Sequence, residues 1–343
     1  MIDHLAKHSK PFSTALFCVT LSLLLGLNTQ ANYAEAQSTS ATPSKANPVR
    51  MKNPKVVKAK AKRAPAVADF TRDGNPNLLS HAVMVFDQTT GKPLFTKNAD
   101  TAVPIASITK IMTAIVVLDA KQNLDEPITI NEADVDIVKN SRSRLPVGTA
   151  FRREDLMRLA LMASDNRAAS ALGRSYPGGI ENFVVAMNSK AKQIGLTNTR
   201  FADSTGLSPR NVASPQDLAL MVAEASKHEL IREFSTAPEL YVTLPISGKQ
   251  IGFNNTNALV KSGNWNIGLS KTGFINEAGK CLVMQAMIAN NPVIIVLMDS
   301  LGRLTRIGDA NRIKKWIESG KVVLAPASSP SAANVPKPPL KSV

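Results

Sequence analysis

Strand-like runs stand near both ends of the chain, and helical periodicity fills most of the space between them. Residues 82–87 (Ala-Val-Met-Val-Phe-Asp) read as a strand, 88–92 as a turn and 93–96 as a second strand. Far along the chain, 265–271, 281–289 and 293–299 are β-rich, and Asn290-Asn291-Pro292 joins the last two as a hairpin. In the middle, Ile108, Ile111, Met112, Ile115 and Leu118 recur at three- and four-residue spacing, which predicts a helix over 107–120. Further helices are expected over 155–162 and 179–194. Another begins at Ser214-Pro215-Gln216-Asp217, where serine caps, proline takes the first position and an acid sits in the first turn. A closing helix covers 304–317. Strands at both ends around a helical middle suggest one sheet built from both chain ends. The expectation is an α/β (α+β) domain over 76–322, with an antiparallel sheet built from both chain ends and a helical subdomain in the middle. No internal repeat is present.

The formal charge of +15 suggests a polyanion partner until its placement is read. Residues 37–64 hold eight lysines and arginines and no acid. This Ala/Pro/Lys-rich stretch has no aromatics for base stacking, so it reads as a disordered basic linker (37–75) and no nucleic-acid partner is expected. It suits retention near anionic envelope polymers. Before it, Lys7 and Lys10 precede an apolar run over 12–27 and the small residues of Ala34-Glu35-Ala36, a cleavable export signal over 1–36. The protein is therefore expected in the periplasm, with no integral membrane anchor after cleavage. Residues 323–343 read as a Pro/Ala/Ser-rich disordered tail. Loss of the signal removes Cys18, His4 and His8. Cys281 is then alone and reads as a buried apolar side chain, while His81 and His228 are too few for a histidine metal site. A Ser-His-Asp hydrolase is disfavoured for the same reason.

Nucleophilic chemistry without histidine needs another base, and three motifs in order supply one. They are Ser107-Ile-Thr-Lys110, Ser164-Asp165-Asn166 and Lys271-Thr272-Gly273. Ser107 and Lys110, three apart at a helix start, share one face. An amine serves as base when desolvation and neighbouring positive charge lower its pKa, and Lys271 can provide that charge. Ser107 also places its own N–H where a helix N-terminus favours a developing oxyanion. Ser164 is expected to relay a proton to the leaving amine, Asn166 to hold the substrate amide, and Asp165 to point away and brace the loop. Lys271 and Thr272 would fix a carboxylate or carbonyl, Gly273 would permit close approach, and the Phe274 N–H is the expected second oxyanion donor. Ser189-Lys-Ala-Lys192 and Ser262-Gly-Asn264 fit fragments of the pattern, but the first lies on a polar helix face and the second leaves too little chain before Lys271.

On these motifs, together with Pro104-Ile-Ala-Ser-Ile-Thr-Lys110, Asn198-Thr-Arg-Phe201, Thr205-Gly-Leu207 and Asn255-Thr-Asn257, the chain resembles the low-molecular-mass penicillin-binding proteins, the serine D-Ala-D-Ala peptidases. Residues 161–169 and 265–274 look most like the endopeptidase branch. The resemblance implies the serine β-lactamase/D,D-peptidase-like fold and an acyl-enzyme on Ser107. Its substrates would be peptidoglycan peptide stems and cross-links, β-lactam antibiotics would acylate the same serine, and no cofactor or metal would be needed. In that reading Ser107 opens D-alanyl-diaminopimelate cross-links; the alternative is a D-alanyl-D-alanine carboxypeptidase trimming pentapeptides. Class A β-lactamases use a glutamate to activate the deacylating water, and residues 198–206 contain none, so rapid drug hydrolysis is not expected.

Overall fold

The computed structural model describes residues 67–244, 247–302 and 304–322. The expected signal peptide, most of the basic linker and the C-terminal tail lie outside these residues. The first described segment is fastened to the body. Phe70 bridges Pro76, the Asn77 side chain donates to Ala68 O, and Lys315 reaches the Asp69 carboxylate at 2.5 Å.

The chain enters through β1 (Ala82–Asp87), β2 (Lys92–Lys97) and the short β3 (Val103–Pro104). The helical middle holds α1 (Thr109–Asp119), the small pair β4 (Pro127–Thr129) and β5 (Ala150–Arg152), then α2 (Arg153–Met162), α3 (Asn166–Arg174) and α4 (Gly179–Gln193). After β6 (Val212–Ala213) come α5 (Pro215–Ala225), α6 (Glu229–Thr236) and the hairpin of β7 (Glu239–Thr243) with β8 (Gln250–Asn254). The chain closes with β9 (Asn266–Ile275), β10 (Gly279–Ile288), β11 (Asn291–Ser300) and α7 (Thr305–Glu318).

Both ends do build one sheet. It has five strands in the order β2-β1-β11-β10-β9, and each neighbouring pair is antiparallel. The apolar runs are continuous because the central strands are buried on both faces. Ala82, Met84, Phe86, Ile294 and Val296 pack toward the helices, whereas Val83, Val85, Ile295 and Leu297 pack toward α7. The closing helix lays Ala310, Ile313, Trp316 and Ile317 on that second face. Its buried Asp309 carboxylate accepts from Ser80 N at 2.7 Å and Ser80 Oγ at 2.6 Å, clasping the entry to β1 against the end of the fold.

Three boundaries differ from expectation. The β10–β11 turn is Ala289-Asn290, with φ of 48° and 63°, and Asn291-Pro292 already belong to β11. A two-residue turn with both φ positive matches the twist of a hairpin, which is why the connection is so tight. Lys271-Thr272-Gly273 does not end its strand, because β9 runs on to Ile275 with Gly273 paired to Cys281. The loop expected at Ser164-Asp165-Asn166 is shorter, because Asn166 already begins α3. Asp165 caps α3 by accepting from Ala168 N at 3.0 Å.

Candidate active site

Ser107 sits on the 3-10 turn Ala106–Ile108 that leads into α1. Ala106 just before it has φ 49°, a left-handed conformation that a side chain rarely adopts. Two glycines hold this bend. A Cβ on Gly206, itself at φ 83°, would collide with Ala106 O, and one on Gly273 would lie 3.0 Å from Ile105 O and 3.3 Å from Ser107 N. Thr109 Oγ1 donates to Ala106 O at 2.8 Å. The backbone at Ser107 is thus gripped between the loop at 206 and strand β9.

Lys110, one helical turn on, points back at Ser107. Its Nζ lies 2.8 Å from Ser107 Oγ, 2.7 Å from Asn166 Oδ1 and 2.5 Å from Thr205 O. The side chain is only 1% exposed. Burial pulls its pKa down from 10.5 to about 8, against the opposing charges of Asp203, Asp165 and Asp136. A neutral amine carries two N–H donors and one lone pair. Asn166 Oδ1 and Thr205 O can only accept, so of the three neighbours Ser107 is the one able to donate to the lone pair. Asn166 is held in this orientation because its Nδ2 donates to Ser141 Oγ at 2.7 Å.

Lys271 comes from β9 on the opposite wall and is equally buried. Its Nζ donates to Ser164 Oγ and to Thr272 O, both at 2.8 Å. Burial drives its pKa well below the ordinary lysine range, and the charges of Lys110 and Arg306 push the same way. Ser164 takes φ 60° between α2 and α3, which aims its hydroxyl at Lys271. Asp165 accepts from Ser143 Oγ at 2.8 Å while capping α3, so it braces the loop as expected, and burial raises its pKa. Thr272 Oγ1 meets Thr256 Oγ1 at 2.7 Å. Gly273 is buried against Ser107, and the exposed Phe274 ring carries Lys280 Nζ at 4.6 Å from its centroid. Ser107, Ser141, Asn166, Leu207 and Phe274 share the lining of one cleft of about 260 Å³.

The three motifs therefore converge. The two decoys do not line this cleft: Ser189 faces a separate hollow beside Asp119 and Tyr176, and Ser262 Oγ donates to Leu259 O.

Sequence reasoning missed several supports. Asp203 organises the loop against Lys110, accepting from Thr205 N and Gly206 N at 2.6 Å each and from Ser208 N at 2.9 Å. Asn211 is fully buried and ties that loop to Thr109 Oγ1 at 3.0 Å. An acid three residues before a glycine is a turn signal that could have pointed to Asp203. Arg306, at the start of α7, donates to Gly273 O at 3.3 Å and Cys281 O at 3.1 Å, and its buried Nε has no partner among the described residues.

With this geometry in view, known proteins give a consistent picture. The S11 peptidase family model, described as D-alanyl-D-alanine carboxypeptidase, matches residues 69–302. The D-alanyl-D-alanine endopeptidase of Pseudomonas aeruginosa is 45% identical over 252 residues, covering 74% of this chain and 81% of that protein. The Escherichia coli D-alanyl-D-alanine endopeptidase is 43% identical over 262 residues, covering 76% and 84%. Among solved structures, the Streptomyces K15 DD-transpeptidase superposes with a TM-score of 0.66 at 30% identity, covering 70% of this chain and 97% of that one. The fold and the extent of these matches place the chain in the S11 family of D-alanyl-D-alanine peptidases.

Proposed function

We propose that this chain is a periplasmic serine endopeptidase that opens D-alanyl-diaminopimelate cross-links in peptidoglycan. The observation that carries the reading is the contact of Ser107 Oγ with a buried Lys110 amine at 2.8 Å, with a second lysine on the facing wall. Neutral Lys110 takes the Ser107 proton as Oγ attacks the D-alanyl carbonyl. The Ser107 and Phe274 N–H groups receive the oxyanion. As the tetrahedral intermediate collapses, the C–N bond breaks and the leaving amine gains a proton through Ser164, which Lys271 holds at 2.8 Å. Water then attacks the ester carbon, and Ser107 leaves with its proton restored. Asn166 holds the substrate amide, and Lys271 with Thr272 anchors its carbonyl or carboxylate.

The endopeptidase reading is supported by the relatives at 45% and 43% identity, both endopeptidases; the carboxypeptidase of Bacillus subtilis matches at 32%. β-Lactams acylate the same serine, and the ester is long-lived. The Asp203 carboxylate, in the loop whose Thr205 O meets Lys110, is occupied by the N–H groups of Thr205, Gly206 and Ser208 and is not free to activate water.

The test is product analysis after incubation with cross-linked muropeptides. Conversion of dimers to monomers is expected. Release of free D-alanine from pentapeptide with dimers left intact would instead identify a carboxypeptidase.

A further inference from the structure

The cleft that holds Ser107 is spanned at one end by an ion pair that the catalytic reading does not use. Lys139 Nζ and Glu277 Oε1 lie 2.6 Å apart. Lys139 belongs to the wall formed by the helical subdomain, in the same loop as Ser141, the partner of Asn166. Glu277 belongs to the sheet wall, in the turn between β9 and β10. Lys139 and the neighbour of Glu277, Asn276, line the cleft with Ser107 and Phe274.

The Lys139 arm is fixed. The Asp136 carboxylate accepts from Val138 N at 2.8 Å, Lys139 N at 2.9 Å and Ser141 N at 2.8 Å, so the backbone that presents the lysine is tied down. The turn bearing Glu277 is closed by Ala278 N donating to Ile275 O at 3.2 Å. Two rigid supports thus carry two long side chains that meet across the opening. The pair itself is weak, since the side chains are 28% and 41% exposed and water screens them.

Its position matters because β9 stands last in the sheet order, and its outer edge has no strand partner among the described residues. An extended peptide adding to that edge runs past Gly273, Phe274 and Ile275. A ligand that ends within the cleft beside Phe274 and Ile275 would stop short of the turn that carries Glu277. A chain that continues past Ile275 meets it.

We propose that the Lys139–Glu277 pair is a latch across the substrate groove, which sets the preference between short stems and cross-linked ones. Short stems and β-lactams bind with the latch closed, and a cross-linked stem must open it. This inference rests on the peptidoglycan reading above for its substrate.

The full-length protein and its Glu277→Gln variant are compared on a cross-linked muropeptide dimer, a monomeric pentapeptide and a fluorescent penicillin. The variant should raise kcat/KM on the dimer by about 3- to 5-fold, the range that an exposed ion pair allows. Penicillin labelling should stay unchanged. The charge swap Lys139→Glu with Glu277→Lys should restore the wild-type ratio. High salt, which screens the pair, should raise dimer cleavage in the wild type but not in Glu277→Gln. A wild type that cleaves dimers, with a variant ratio that is unchanged or reduced, overturns the latch and leaves the endopeptidase reading standing. A wild type labelled by penicillin but inactive on dimers overturns the endopeptidase reading; the latch then survives only if Glu277→Gln gains dimer cleavage, and falls if it does not.

Discussion

The two walls of the cleft contribute one lysine each and hold them by different means. On the helical wall, Lys110 shares a helix face with the serine it touches, and the bend before that serine is forced into place by its surroundings. Ala106 at φ 49° and Ser164 at φ 60° are both in left-handed conformations, and Gly206 closes over the first. On the sheet wall, Lys271 stands in an antiparallel ladder paired with Val283; the register shifts at Gly268, and no residue from 266 to 275 has positive φ. Left-handed backbone is concentrated at the residues proposed as nucleophile and relay, and strand pairing carries the edge proposed to receive substrate. The helical wall should therefore fail abruptly when altered, and the sheet wall by degrees.

The largest break is expected at the nucleophile. Ser107→Ala should abolish covalent labelling by penicillin and lower peptidase turnover by about 10⁴-fold or more. Ser189→Ala, on the decoy motif, should leave labelling intact. The reverse pattern would overturn the site assignment.

Lys110→Met comes next, with a loss of about 10²- to 10⁴-fold in acylation rate. The wild type should also show the base in its pH profile. As the proposed base Lys110 would act when neutral, and burial lowers its pKa to about 8. Acylation should rise with pH below that value and level off above it. A flat profile from pH 6 to 9 would exclude Lys110 as the base.

Gly206→Ala sharpens the contrast between the walls. The added methyl would strike Ala106 O on a backbone already at φ 83°. The cost is of order 1–3 kcal/mol in stability, read from denaturant unfolding, with acylation lowered further because the bend at Ser107 must shift. Preserved labelling with preserved stability would show that the grip on Ala106 is unimportant.

Much of this was legible because the chemistry is local in sequence. Ser107 and Lys110 are three apart, and each motif brings its own backbone with it. The sheet was legible from the apolar runs at the two ends, since strands buried on both faces leave a continuous signal. What stayed hidden has physical causes. In α3 the buried positions are mostly alanines (Ala168, Ala169, Ala171), so apolar periodicity is faint and no helix is expected there from the sequence. In α6 only eight residues are available, with Ile231 and Phe234 as apolar anchors, too short a window for a period. The turn at Asp203 depends on a carboxylate bonding its own following backbone, a signal shared with many surface loops. The close approach expected at Gly273 is present, since its missing side chain lets β9 pass beside Ser107, but the strand runs on to Ile275.

Arg306 was the least legible residue of all, and its predicted effect is smaller than those at Ser107 and Lys110. Its partners are backbone carbonyls, which have no sequence identity, and they lie on two different strands. In a trans peptide the C=O and N–H point in opposite directions. The Gly273 carbonyl faces Arg306 and Cys281, so the Phe274 N–H faces the free edge of β9, where the oxyanion would form. A cation on the carbonyl polarises that peptide and strengthens its N–H as a donor. Arg306→Gln should therefore lower kcat by about 10-fold, less than loss of an oxyanion donor itself, with KM for a short stem peptide nearly unchanged. Affinity for a boronate that forms a tetrahedral adduct on Ser107 should fall in proportion, and Arg306→Lys should recover part of both. A KM increase with kcat intact would mean instead that Arg306 touches the substrate directly. Arg306 would then add a second binding charge beside Lys271, where the present geometry makes it a half-buried support behind the peptide.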